Sequence, residues 1–143
     1  MIIESPIFAP AVVLVLWSLV MLFWLAGTRL PAMAKANISL ATAVGSRGVN
    51  LEGLIPDRVN WKAHNYAHLM EQPTLFYVTV VVLALVGAGE GLNLLLAWTY
   101  VIVRIVHSIV QATWNRVTVR FALFNISTLA LLILAINAAR ATL

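Results

Sequence analysis

Six polar side chains in an otherwise apolar chain stand at spacings that could build a binding site. His64, His68 and Glu71 lie four and three residues apart, and Arg104, His107 and Gln111 lie three and four apart. On α-helices each set shares one face, because residues three and four apart are neighbours on the helix surface. Glu71 and Arg104 alone would suffice to fix the register of two helices as a structural ion pair. Six such residues in two opposed stripes instead fit a pocket for a charged, water-soluble ligand. His64-x-x-x-His68 also has the spacing of two metal ligands on a helix, with Glu71 or His107 as a possible third. That reading is the weaker one: there is no His-Glu-x-x-His motif and no cysteine, and nearby cations would compete with a metal. The expected metal complement is therefore none. No Ser, His and acid arrangement of hydrolase type is present, nor a phosphate-binding glycine loop.

The elements that must position these residues follow from composition. Of 143 residues, 62% are hydrophobic and 10% charged, whereas soluble domains carry about 25% charged residues. The chain is expected to be all-α and integral to a membrane. At about 20 residues per crossing it forms a single membrane domain over residues 1–143, a four-transmembrane-helix up-down bundle without room for a soluble catalytic domain. Ile7 to Ala26 is free of charge and begins a first span over about 7–28. A cleaved signal peptide is the competing reading. Against it, the residues before the run hold Glu4 and no Lys or Arg, and the run is longer than a signal's apolar region. Residues 29–62, punctuated by Pro31, Gly45, Gly48, Gly53 and Pro56, form a loop, whose Ala-rich part from Ala32 to Ala43 could extend the first helix or lie on the membrane surface. The second span, about 64–88, must include His68 and Glu71, because Pro73 to Ala88 is only 16 residues. Pro73 is expected to bend it. Spans three and four cover about 92–113 and 120–140.

Seven of the nine basic residues, Arg29, Lys35, Arg47, Arg58, Lys62, Arg116 and Arg120, fall in or beside two connections on one side of this bundle. By the positive-inside rule those connections are cytoplasmic and the chain is N-out and C-out, a multi-pass protein of, by expectation, a bacterial inner membrane. The net charge of +4 then reports topology and anionic lipid headgroups, and no nucleic-acid partner is expected. Counting from Asn60 places Glu71 roughly 16 Å along its helix, and Arg104 at a similar depth, so these two are expected to pair. The five tryptophans, Trp17, Trp24, Trp61, Trp98 and Trp114, read as interface anchors or lipid-facing bulk. Without cysteine, any thiol chemistry requires a thiol brought in by a cofactor.

Arg104-Ile-Val-His107-Ser-Ile-Val-Gln111, followed by Asn115-Arg116-Val-Thr-Val-Arg120-Phe121-Ala-Leu-Phe124, resembles the third and fourth helices of the MAPEG family, the membrane-associated proteins in eicosanoid and glutathione metabolism. It is most similar to the microsomal prostaglandin E synthase and microsomal glutathione transferase branch and to bacterial members. Glu71 with Pro73 and Phe76 is similar to the family's second helix, and Arg29-Leu30 up to Asn37 to the end of its first. The resemblance implies a homotrimer that holds glutathione between subunits near the cytoplasmic face. By position, Arg29, His68, Glu71, Arg104, His107 and Gln111 would contact glutathione, and Arg120 would be the catalytic arginine that stabilises its thiolate. The chemistry is consistent, since Arg and Glu can pair the carboxylates and ammonium of glutathione. A nearby guanidinium also lowers a thiol's pKa from about 8.5.

Gln111 stands where that branch has a Tyr, and Phe121 and Phe124 stand where it has Ser and Tyr. These replacements remove polar groups beside the thiolate, which leaves prostaglandin isomerisation without support. What the resemblance then implies is a glutathione-dependent transferase or peroxidase acting on a lipophilic small-molecule electrophile or a lipid hydroperoxide. The alternative is a non-catalytic lipid-binding or scaffold member, whose partners are membrane lipids.

Overall fold

A computed structural model describes residues 4–143, and among them the only regular structure is helical. Helix α1 spans Phe8–Lys35, α2 Asp57–Leu69, α3 Gln72–Leu85, α4 Gly91–Thr113 and α5 Val117–Thr142, with a 3-10 turn at Gly48–Leu51. Helices α2 and α3 together make one crossing, so the described residues hold four helices long and apolar enough to span a membrane. They pack as a bundle in which α4 lies against α1, α2 and α5, and α3 against α1 and α5. Phe23, Leu75, Val78, Leu95 and Leu132 are each more than half exposed on its outside. Such a surface suits lipid and not water.

The core runs along the bundle as Leu14, Met21, Phe76, Val80, Tyr100 and Leu134. Phe76 and Tyr100 stack with ring centroids 4.3 Å apart. The Tyr100 hydroxyl donates to Gln72 Oε1 (3.3 Å), and Gln72 Nε2 donates to Thr128 Oγ1 (2.9 Å), which ties α3, α4 and α5. At the far end of the bundle Asn137 Nδ2 donates to Asn93 Oδ1 (2.7 Å) and links α5 to α4. There the N-terminal segment crosses the α3–α4 turn at Gly89, where a Cβ would collide with Ser5 Oγ and lie 3.0 Å from Ile7 Cγ2.

Two boundaries differ from the sequence expectation. Helix α1 continues through Pro31 to Lys35 instead of ending near residue 28. Proline disrupts a helix mainly at the carbonyl four residues before it, here that of Gly27, and the rest of the ladder is free to continue. Span two begins at Asp57 and is broken, not merely bent: α2 ends at Leu69 and α3 starts at Gln72 with Pro73 in its first turn. There the missing proline N–H costs nothing, whereas in a continuous helix it would leave the Leu69 carbonyl unpaired.

Candidate functional site

The break in span two creates the centre of the site. In a continuous helix the His68 carbonyl would bond the amide of residue 72; here it receives a long 3.4 Å contact from the Glu71 amide. The Arg104 guanidinium takes up the vacant acceptor. Its Nη2 donates to His68 O at 3.1 Å and its Nη1 lies 3.3 Å from His68 Nε2. Arg104 is completely buried. Beyond these contacts its Cζ lies 6.0 Å from the Phe124 ring centroid.

His107, one turn further along α4, is also buried, and its ring centroid is 5.2 Å from that of His68. The other side of the site comes from α5. Asn115, in the left-handed conformation (φ 55°), closes α4 through its amide bond to Val110 O (2.7 Å). Asparagine tolerates that conformation better than most residues do. Its Oδ1 accepts a hydrogen bond from Arg120 Nη1 at 2.5 Å, so the link between the two helices holds the guanidinium. His68, His107, Arg120, Phe121 and Phe124, with Val117, line a pocket of about 190 Å³. Its chemistry is cationic on one wall and apolar on the other.

The sequence-predicted residues do not all come together. Arg104, His68, His107 and Arg120 come together. Glu71 does not pair with Arg104 as expected. It sits at the helix break, largely exposed, with Oε2 2.8 Å from His68 Nδ1. Because α2 ends before Glu71, the i, i+4, i+7 face on which the expected stripe depended stops at His68. Gln111 is buried one turn beyond His107, outside the pocket lining, and its Oε1 has no partner.

Arg29 lies elsewhere in the chain. Its Nη2 donates to the buried Asn60 Oδ1 (3.3 Å), and Gly48 comes so close that a Cβ there would be 2.9 Å from Arg29 Nη1. With His64 and Glu52 it lines a separate cavity of about 410 Å³. His64 turns to that side too, its Nε2 2.8 Å from Glu52 Oε1, and so leaves the His68 stripe. The two histidines that could have shared a metal therefore have different partners. Among the described residues no three His, Cys, Asp or Glu side chains gather as a metal-binding group.

A polar link beside the site was not anticipated. Ser108 Oγ accepts hydrogen bonds from Trp17 Nε1 (2.9 Å) and from Asn65 Nδ2 (2.5 Å), joining α1, α2 and α4. Trp17, half-buried, thus ties helices together through its N–H in addition to any surface its ring presents. Asn65 and Ser108 are wholly buried and flank His68 and His107 in position. A serine in an apolar helix gives little signal, because it can satisfy itself on its own helix's carbonyls. Asn65, three residues before His68, was the more visible clue.

Among the described residues five buried side-chain polar atoms have no protein partner: Nε of Arg29, Arg104 and Arg120, Asn65 Oδ1 and Gln111 Oε1. Buried polar groups are normally paired, so atoms of this kind mark places where a ligand or water completes the set. Glu71 is the only carboxylate hydrogen-bonded into the Arg104 cluster among the described residues, and it is reached through His68. The site is therefore short of negative charge. No curated protein and no solved structure matches the chain. The MAPEG family model matches residues 7–140, a stretch that takes in nearly all of the four spans together with Arg29, the helix break, Arg104 and Arg120, and the chain belongs to the MAPEG family.

Proposed function

We propose that the chain is a glutathione-dependent membrane transferase or peroxidase acting on lipophilic electrophiles or lipid hydroperoxides. The observation that carries this reading is the Arg120 guanidinium: it has a neutral amide as its partner, an unbonded Nε, and a pocket wall made by Phe121 and Phe124. The orphaned guanidinium nitrogens of Arg29, Arg104 and Arg120 suit carboxylates and a thiolate, and the exposed Glu71 suits an ammonium, so the residues present fit glutathione. Bound glutathione would supply the thiol that this cysteine-free chain lacks. Arg120 would hold the sulfur as thiolate at neutral pH by direct electrostatic stabilisation. Arg104 and His107 would bind from the buried side, and the two phenylalanines would exclude water and receive the apolar substrate from the bilayer. Transferase or peroxidase chemistry suits these phenylalanines better than isomerisation, which calls for polar groups beside the sulfur. Arg29 lies apart from Arg120 within one chain, and a homotrimer with the site between subunits would account for both. The basic connections face the cytoplasm of a bacterial inner membrane in this reading.

Phe121, 68% exposed at the pocket mouth, favours a second reading: a non-catalytic lipid-binding or scaffold member of the family. Titration of glutathione into detergent-purified protein, with conjugation to a generic aromatic electrophile followed by absorbance, separates the two. Saturable binding and turnover are expected. An absence of binding at millimolar glutathione would remove the enzyme reading and leave the lipid-binding one.

A further inference from the structure

A groove of about 510 Å³ separates the last third of α1 from the start of α2, and it shares no lining residue with the Arg120 pocket or the Arg29 cavity. Its walls include Gly27, Thr28, Pro31 and Lys35 from α1 and Pro56 and Val59 from the entry to α2. The groove exists because side chains are missing or turned away. The position of a Cβ on Gly27 has nothing within 4 Å. The Thr28 hydroxyl is turned back onto α1, donating to the carbonyls of Trp24 (2.9 Å) and Leu25 (3.2 Å), so its methyl side is left for the groove. Pro31 has no N–H, which deprives the Gly27 carbonyl of its usual partner four residues on.

One ammonium group lines this groove, and a second stands on α2 one turn beyond a lining residue. Lys35 lines its outer end, where α1 finishes. Lys62, one turn beyond Val59 on α2, has its Nζ 5.6 Å from the Trp24 ring centroid and donates to Arg58 O at 2.6 Å. Trp24 in turn precedes Gly27 and Thr28 by one turn, on the same side of α1. Among the described residues neither lysine has an acidic partner. Glu52 is engaged by His64, and Asp57, beside Pro56, forms no ion pair.

We propose that this groove binds an anionic phospholipid of the surrounding bilayer. An acyl chain lies along Gly27, Pro31 and Val59, and the phosphodiester sits at the outer end of the groove with Lys35, while Lys62 adds positive charge from α2. Each part of the lipid meets the chemistry that recognises it: an apolar wall for the chain and cations without a carboxylate partner for the phosphate. A zwitterionic choline lipid brings its own cation to the two lysines, so it is the disfavoured ligand. The tryptophan at the inner end suits the depth at which glycerol backbones lie.

The test uses the whole protein purified in detergent and native mass spectrometry with phosphatidylglycerol and phosphatidylcholine of identical chains. At least tenfold preferential retention of phosphatidylglycerol is expected. Lys35→Gln with Lys62→Gln should abolish the preference, and Gly27→Leu should reduce retention severalfold with both lysines in place. Arg47→Gln, on the connecting loop outside the groove, should leave it unchanged. Unfolding midpoints of the variants show that each is folded. Wild-type preference in the double lysine variant, or undiminished retention in Gly27→Leu, would overturn the proposal. So would displacement of the lipid by millimolar inorganic phosphate, since that would mark a simple anion site.

Discussion

Arg104 donates to the main-chain carbonyl of His68 at 3.1 Å, across the point where Pro73 interrupts the second span. A buried cation is thereby held by a backbone break on another helix, not by a carboxylate. Arg104→Ala removes the donor, leaves the His68 carbonyl short of a partner and opens a cavity. The expected destabilisation is on the order of 2–4 kcal/mol, combining an unsatisfied buried acceptor with lost packing. Chemical unfolding in detergent measures it, and glutathione binding should fall with it. Pro73→Ala approaches the same contact from the other side. It permits a continuous helix, so amides 71 and 72 should gain hydrogen-exchange protection while glutathione affinity drops. Unchanged protection would mean that packing, and not proline, sets the break.

Asn115 and Arg120 permit backbone and side-chain roles to be separated. Asn115→Gly keeps the left-handed turn available but releases the guanidinium. Folding should be preserved, turnover should fall about tenfold, the equivalent of about 1.4 kcal/mol, and the thiol pKa of bound glutathione should move up towards its free value. Arg120→Ala should abolish turnover and leave most of the binding. Thiolate absorbance against pH reads both variants. If Arg120→Ala retains its turnover, Arg120 is not part of the mechanism.

Much of this architecture was legible in the residues, for physical reasons that differ by feature. Four spans follow from hydropathy, because in lipid only a closed ladder of backbone hydrogen bonds is tolerable and its length is fixed by bilayer thickness. The juxtaposition of His68 with Arg104 and His107 follows from helical spacing and depth. The Glu71 to Arg104 pair failed because helical periodicity cannot be carried across a proline break: Glu71 lies two residues past the end of α2. His64 strayed from the stripe because the loop supplied Glu52, a partner whose position no periodicity encodes. Trp17 reads as an interface residue only if its N–H has no buried acceptor, and that acceptor, Ser108, lies 91 residues away in sequence.

Glu71 and Arg104 should differ in their effect on stability, and not on binding, when each is neutralised. Glu71 is mostly exposed, and its contact with His68 is a surface pair, worth about 0–1 kcal/mol and less in salt. Glu71→Gln should therefore leave the unfolding midpoint within a degree or two and weaken glutathione binding several-fold by removing the partner of its ammonium. Calorimetric titration alongside thermal unfolding checks both halves. A large stability loss without a binding effect would make Glu71 purely structural.

The Gly89 crossing predicts stability without function. Alanine there would drive a Cβ into Ser5 Oγ and against Ile7, both fixed between the N-terminal segment and the α3–α4 turn. Gly89→Ala should lower the unfolding midpoint by several degrees and leave glutathione affinity unchanged, since the Arg104 cluster sits at the helix break and not at this turn. Loss of affinity in folded Gly89→Ala would show that the two ends of the bundle are coupled.

Ser108 joins three helices through one hydroxyl, accepting from Trp17 on α1 and Asn65 on α2. Removing it leaves two buried donors unpaired. In water such a loss would cost about 1–3 kcal/mol for each donor, but interhelical hydrogen bonds in a membrane average about 0.6 kcal/mol with a maximum near 1.7. The membrane values apply, because the unfolded chain in lipid or detergent can still pair those groups elsewhere. Ser108→Ala is thus expected to cost about 1–2 kcal/mol in total. A double-mutant cycle with Trp17→Phe isolates the longer arm and should return a coupling of about 0.5–1 kcal/mol by denaturant unfolding. A coupling near zero would mean that Trp17 is held by packing alone. A positive coupling together with loss of glutathione binding in Ser108→Ala would mean that the link between α1, α2 and α4 also sets the placement of His107.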